Sequence, residues 1–381
     1  MGDFSIGQGD WVEDRRKFPS GLKSFSDHVH SKGMKFGLWV EPERVDLRTS
    51  EAGGWKMDWL SCDEGGNPHI LEGPLSKSGW LCLSVPEARL WIKGWLSELV
   101  EKYRLDWLKW DSNWWTICRG VHHGHGEGDG EYAHVEGLYD IFDYILNKYP
   151  GLVIENCAGG GTRMDTGIMR YSHVQWVDDE SELPQRARCH CSRLSRYIPQ
   201  SCIYTFVNPK SPDIKEYDKF MNAGQKGIAA VLDYSFRSRM LGIWGFSYKL
   251  GIMPPAALEV IRRNVKTYKG IRNIIENGKF YNLVPIGHLQ RPHLSVDSPE
   301  AYMFVGPDAG NAVLFVFYPM QNCTMQIKLS GLDEKLRYEV KRIDEDKVSG
   351  YSGNELVQKG LELGANDETY SDIYYIKESD I

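Results

Sequence analysis

Apolar positions follow two textures along this chain, and the texture changes near Ile286. Between residues 20 and 270, short apolar runs alternate with longer segments of helical period. Lys35 to Glu41 reads as a strand that stops at Pro42. Leu22 to Lys32 before it reads as a helix, with Ser20 as its expected N-cap. Trp80 to Leu83 is a second expected strand. Pro86 to Tyr103 follows as a helix with its apolar stripe at Leu90, Trp91, Trp95, Leu96 and Leu99. Trp107 to Asp111 is the third strand, and a helix around Val135 to Tyr149 leads to another at Leu152 to Asn156. Further strands are expected at His173 to Trp176, Cys202 to Phe206 and Ile228 to Leu232.

Repeated strand–helix units imply a parallel sheet with right-handed crossovers. Their number and spacing favour a (β/α) TIM-type barrel over an open doubly wound sheet. No GxGxxG follows any strand, which weakens a dinucleotide-binding reading. Gly287 to Pro299 is rich in Pro, His and Ser and reads as a linker. Beyond it, Ala301 to Val305, Ala312 to Tyr318, Thr324 to Leu329, Tyr338 to Ile343 and Ile373 to Ile376 read as antiparallel strands. The expected division is a catalytic barrel domain over residues 1–286 and a small antiparallel β-sandwich over 287–381.

Composition adds exclusions. With 381 residues, 41% hydrophobic and 25% charged, the chain suits a barrel of roughly 250 residues plus a smaller domain. A formal net charge of −7 gives no electrostatic support to a nucleic-acid or anionic-membrane partner. No apolar run reaches the ~18 residues of a membrane span, and the N-terminus has no signal-peptide pattern, so a cytoplasmic location is expected. The eight cysteines form no paired CxxC motifs, which argues against a zinc ribbon or a disulfide scaffold. Cys189-His190-Cys191 has poor spacing for a tetrahedral metal site. The 13 Trp and 20 Tyr suit sugar stacking, and suit a large core equally.

Candidate chemistry collects at strand ends, where a parallel barrel carries its active site. Glu41 and Glu43 follow the first strand, Asp111 ends the third, and Asp178, Asp179 and Glu180 follow Trp176. Alternation puts Lys109 and Asp111 on one strand face. That pair fits a nucleophile kept ionised by a cation and, equally, a structural ion pair. The acidic run fits a proton donor with a raised pKa; taken alone, it reads more readily as a solvated loop. Glu155 to Gly161 places three glycines directly after a strand. With Arg163 and Asp165 following, a ligand-binding loop is favoured over a plain turn. His122, His123 and His125 lie in a Gly-rich loop, read as a surface loop at the cleft rim in preference to a metal site.

Four stretches resemble the α-galactosidases and α-N-acetylgalactosaminidases of glycoside hydrolase family 36. They are KFGLWVEPERV from Lys35, WLKWDSN from Trp107, ENCAGGGTRMD from Glu155 and WVDDESE from Trp176. The resemblance covers about residues 10–285, and the β-rich C-terminus fits the family's domain order. It implies a retaining mechanism with Asp111 as nucleophile and Asp179 as acid/base. It also implies sugar contacts from Trp39, Lys109, Cys157, Gly160, Gly161 and Trp176. The implied partner is an oligosaccharide or glycoconjugate, with no metal and no cofactor.

The chain departs from the family at several points. Nothing matches the Asp-Asp-Gly-Trp that ends the family's first strand, or the family's N-terminal β-sandwich, so the expected barrel is incomplete at its N-terminus. Cys82 stands where the family has Asp, and Asp178 where it has Ser. An open barrel leaves unpaired strand edges, which favours a homo-oligomer. A catalytically impaired carbohydrate-binding relic and a raffinose-synthase-like transglycosylase are the alternative functions.

Overall fold

The computed structural model describes residues 6–179, 184–207, 228–247, 249–285, 299–318, 323–364 and 370–379. The expected linker at Gly287 to Pro299 and the acidic residues Glu180 and Glu182 fall outside these, apart from Pro299. The chain divides into two compact units, Met1–Trp176 and Val177–Ile381.

The first unit is built on parallel strands. They are β1 (Gly37–Val40), β5 (Trp107–Trp110), β6 (Val153–Asn156) and β7 (Val174–Trp176), hydrogen-bonded in that order. Between β1 and β5 the chain forms a small antiparallel sheet of β2 (Arg44–Asp46), β3 (Ile70–Glu72) and β4 (Lys77–Trp80), with β4 in the middle. Register places Trp39 beside Lys109 and Lys109 beside Glu155, so three strands deliver these side chains at one level.

Helices Leu22–Ser31, Pro86–Tyr103 and Gly130–Lys148 supply the connections. The Pro86–Tyr103 helix starts on proline at its first position and ends at Arg104 in the left-handed region. Its buried face carries Ala88, Ile92, Leu96, Leu99, Val100 and Tyr103. These join Leu108, Trp110, Ile141, Phe142, Ile145 and Ile154 in one core. The buried stripe is rotated from the expected one, and Leu90 is 67% exposed. Trp91 instead lies partly buried and donates its indole N–H to the Gly53 carbonyl at 2.7 Å.

Three local expectations are corrected. Trp80 to Leu83 is not a parallel strand: Trp80 ends the antiparallel β4, and β5 pairs directly with β1. The backbone past Trp80 is bonded elsewhere, Leu81 N to the Glu43 carbonyl and Leu83 N to His134 Nδ1. Ser20 is not the cap of the first helix. Gly21 is, at φ 84°, and Glu13 accepts the Leu22 amide at 2.6 Å. Ile228 to Leu232 opens a helix, Ile228–Arg239, because a short apolar run does not by itself separate helix from strand.

The second unit begins with helix Pro184–Leu194 and two parallel strands, β8 (Ile203–Val207) and β9 (Ile243–Phe246). Helix Pro255–Asn277 leads into antiparallel strands: β10 (Lys279–Val284), β11 (Glu300–Val305), β12 (Asn311–Phe317), β13 (Thr324–Ile327), β14 (Arg337–Arg342), β15 (Val348–Ser352), β16 (Leu361–Gly364) and β17 (Ser371–Glu378). Six of them form one sheet in the order β10-β11-β12-β17-β14-β15, and β13 pairs with β16. Every residue of β11 is buried, including Glu300, which takes a two-pronged bond from Arg188 at 2.7 and 2.8 Å. The fold class is thus a parallel half-barrel sheet with flanking helices, followed by antiparallel sheets.

Candidate active site

Asp111 follows the last residue of β5, and its side chain is held by three N–H groups. Trp39 Nε1 donates to one carboxylate oxygen at 3.0 Å. The amides of Ser112 and Gly159 donate to the other at 2.8 and 3.3 Å. These donors come from β1, from the turn after β5 and from the glycine loop after β6. The carboxylate's direction is therefore set by three elements, with only 7% of the residue exposed.

The glycine loop reaches Asp111 because of its backbone conformation. Gly160 sits at φ 85°, where a side chain would be strained, and its carbonyl accepts the Ala158 amide at 2.9 Å. Gly161 closes a bridge to Ala158. Cys157, at the loop's start, is buried beside Asp111 and Lys109. Burial first, and then the Asp111 charge, pushes its thiol well above the usual range. It is therefore a packed, protonated contact and not a nucleophile.

Lys109 is not ion-paired to Asp111 as the strand alternation suggested. Its Nζ pairs with Glu155, its register neighbour on β6, at 2.9 Å. It also lies over the Trp176 ring at 3.5 Å from the centroid. Glu155 is fixed in turn by Trp107 Nε1 at 2.7 Å. Lys109, Glu155 and Trp176 thus form one polar and aromatic wall on neighbouring strands.

Two further carboxylates, Glu41 and Glu43, follow β1 on one turn. Glu41 is fully buried, accepts the Asn113 amide at 2.7 Å, and takes Gln8 Nε2 at 2.9 Å. Burial raises its pKa, and the Asp111 charge acts in the same direction. Glu43 is also buried, yet its pKa is lowered to about 2. Burial opposes this, and Arg163, His134 and Trp110 outweigh it, at 2.9, 2.8 and 2.8 Å respectively. One carboxylate is therefore tuned towards the acid form and the other towards the anion, from two positions on the same turn.

Beside them opens a cavity of about 750 Å³ lined by Ser112, Asn113, Trp114, Trp115, Gly159 and Arg163. It exposes indole faces at its rim, with Trp115 68% exposed. That size accommodates a small oligosaccharide.

The structure therefore brings together, within the first unit, six residues that the sequence singled out: Trp39, Lys109, Asp111, Cys157, Gly160 and Trp176. Asp179 lies in the second unit, exposed in a turn. Its neighbour Asp178 is buried and bonded to Arg186 and to His190 Nε2, the latter at 2.8 Å. Sequence reasoning gave no role to Gln8 or Asn113, and counted Arg163 only as part of the binding loop and not as the partner of Glu43. Glu41 stood inside a quoted motif, and its place at a strand end was the available signal.

A parallel sheet with flanking helices that presents a fixed carboxylate at a strand's C-terminal end has the layout of the (β/α)-barrel class, which carries its sites at that end. Residues 2–278 match the melibiase family model, and residues 299–376 match the glycosyl hydrolase family 36 C-terminal domain. The chain belongs to the melibiase family. It is 29% identical over 360 residues to alpha-galactosidase 1 of Pediococcus pentosaceus, covering 93% of this chain and 45% of that protein. It is 28% identical to alpha-galactosidase AgaA of Geobacillus stearothermophilus over 366 residues, again 93% and 45% of the two chains. The crystal structure of AgaA superposes with a TM-score of 0.80 at 24% identity, covering 99% of this chain and 49% of that one. Variants of AgaA have been solved in complex with raffinose and with stachyose. The chain spans about half the length of the curated relatives it matches.

Among the described residues, no helix is long and apolar enough to cross a membrane.

Proposed function

We propose that this protein is a retaining glycoside hydrolase that removes terminal α-D-galactosyl residues from oligosaccharides, with N-acetyl-α-D-galactosaminyl residues as the second substrate form. The observation that carries this reading is the Asp111 carboxylate, aimed by an indole and two backbone amides at the C-terminal end of a parallel strand. Fixing a nucleophile in one orientation removes a large part of the entropic barrier to attack. Kinship with α-galactosidases supports the sugar, and the raffinose and stachyose complexes of AgaA support an oligosaccharide.

In this reading Asp111 attacks the anomeric carbon while Asp179 protonates the departing glycosidic oxygen. Water deprotonated by Asp179 then cleaves the glycosyl–Asp111 ester and restores both carboxyl groups. Lys109, Trp39 and Trp176, with Cys157, Gly160 and Gly161 of the glycine loop, form the sugar-facing wall.

The test is turnover of an aryl α-galactoside by the chain and by its Asp111→Asn variant. The variant is expected to lose on the order of 10⁴-fold or more in kcat. Equal turnover by both overturns the role of Asp111. A wild-type chain that binds galactose and turns nothing over is a carbohydrate-binding relic, and it overturns the enzymatic reading.

A further inference from the structure

The loop after β5 carries a second group of reactive side chains that the site above does not use. Cys118, His123 and His125 come from this loop and Cys82 from the segment after β4. Their ligand atoms all lie within 4.8 Å of one another. Cys118 Sγ is 3.2 Å from His123 Nδ1, and Cys82 Sγ is 3.7 Å from His125 Nε2. A tetrahedral zinc ion with ordinary Zn–S and Zn–N bonds sets sulfur and nitrogen about 3.6 Å apart. Cys82 and Cys118 are fully buried, His123 is 5% exposed and His125 is half-buried. The loop is thus not the plain surface loop its glycines suggested.

A second, independent observation concerns the other ring nitrogens. His123 Nε2 meets the Asp58 carbonyl at 2.8 Å, and His125 Nδ1 meets the Gly126 carbonyl at 2.7 Å. A carbonyl only accepts, so each of these nitrogens carries its proton. In the neutral ring, the nitrogen facing the cysteines is then the one with the lone pair. Metal-ligating histidines are oriented in this way, one nitrogen on the ion and the other donating to an outer acceptor. Ser84 completes the outer shell, with its Oγ 2.9 Å from Cys82 Sγ and donating to the His123 carbonyl at 3.0 Å.

We infer that Cys82, Cys118, His123 and His125 form a structural zinc site that pins the loop after β5 to the end of β4. Two thiolates and two imidazoles make a closed, four-ligand set. That set selects zinc over calcium or magnesium and leaves no position for a substrate water. Cys62, His122 and His123 form a second group within the same distance. It shares His123, whose other nitrogen is engaged by Asp58, so one ion fills the pair of groups. The pinned loop carries Trp114 and Trp115, which line the cavity beside Asn113. Cys82 is also where the sequence departs from the family's aspartate, so the site belongs to this chain's own residues.

The test uses the full chain and does not require activity. Elemental analysis of protein purified without added metal is expected to give about one zinc per chain. Cobalt substituted for zinc is expected to show the strong visible bands of a tetrahedral ion and a thiolate-to-metal charge-transfer band. Cys82→Ser and Cys118→Ser are expected to lose both signals, and Cys323→Ser to keep them. If the buried cysteine variants fail to fold, His125→Ala at the half-exposed rim serves instead. It is expected to weaken cobalt binding at least tenfold while far-UV circular dichroism is unchanged. The inference is overturned by three results: wild-type chain with no zinc and no tetrahedral cobalt spectrum, a Cys82–Cys118 disulfide, or unchanged metal binding in His125→Ala.

Discussion

Trp39 and Asp111 meet across two strands: the indole N–H at the end of β1 donates to the carboxylate that follows β5, at 3.0 Å. The register sets this meeting. Trp39 is opposite Lys109, so Asp111 lies two residues further on, one pleat beyond the sheet, within reach of a long aromatic side chain. The aromatic is part of the carboxylate's mount, and in the proposed function it also faces the sugar.

Trp39→Phe keeps the ring and removes the donor. One hydrogen bond to a charged group is worth about 1.5–3 kcal/mol. The expected result is a fall in kcat of about ten- to a hundred-fold on an aryl α-galactoside, with KM changed much less. A loss confined to KM would assign Trp39 to substrate stacking alone.

Asp179→Ala separates an acid role from a structural one. An exposed turn residue tolerates truncation, so the fold is expected to survive. Turnover of substrates with poor leaving groups should fall much more than turnover of activated aryl glycosides. Added azide should restore part of the activity. Equal losses on both substrate types would remove the acid assignment.

Glu43 predicts an acid-stability signature. Its folded-state pKa is lowered to about 2, below the roughly 4.3 of a free carboxyl. Its contribution to stability is therefore complete above about pH 4.3 and is lost as pH falls towards 2. Glu43→Gln breaks the buried bonds to Arg163 and His134 and should cost about 3 kcal/mol at pH 7. Denaturant unfolding of both proteins from pH 7 to pH 2 should show that gap narrowing below pH ~4. A gap that is constant with pH would mean that the carboxylate's charge is not what stabilises the turn.

Arg188 and Glu300 form a fully buried two-pronged ion pair in the second unit, with Arg188 also lying 4.2 Å from the Phe317 ring centroid. Removing one partner strands the other charge in the core. Arg188→Ala is expected to lose about 3–5 kcal/mol in chemical denaturation. Arg188→Met with Glu300→Gln should recover much of that, because no unpaired charge is then left in the core.

Much of the first unit was legible in the residues. The helix Pro86–Tyr103 matched its expected bounds because proline marks its start and Arg104 ends it in a left-handed turn. The strands ending near Asp111 and Asn156 were readable as short apolar runs closed by polar residues. Where local pattern was ambiguous, the reading failed. Ile228 to Leu232 has no periodicity to choose helix over strand, and helix was the outcome. Trp80 to Leu83 looked like a barrel strand, but its backbone groups were taken by Glu43 and His134, partners far away in sequence.

Local pattern along the chain was enough to put particular residue types at strand ends: Asp111 after β5, the glycine run after β6, Trp176 on β7. Those positions follow from local alternation and turn chemistry. The partners of those residues came from the folded arrangement. It paired Lys109 with Glu155, gave Asp111 its indole and its Gly159 amide, and shifted the Glu41 and Glu43 carboxyls in opposite directions. It also gathered Cys82 with Cys118, His123 and His125. Strand register and loop return, not spacing along the chain, fix those distances, and electrostatic and ligand interactions act over a few ångströms in space, however far apart the residues lie in sequence.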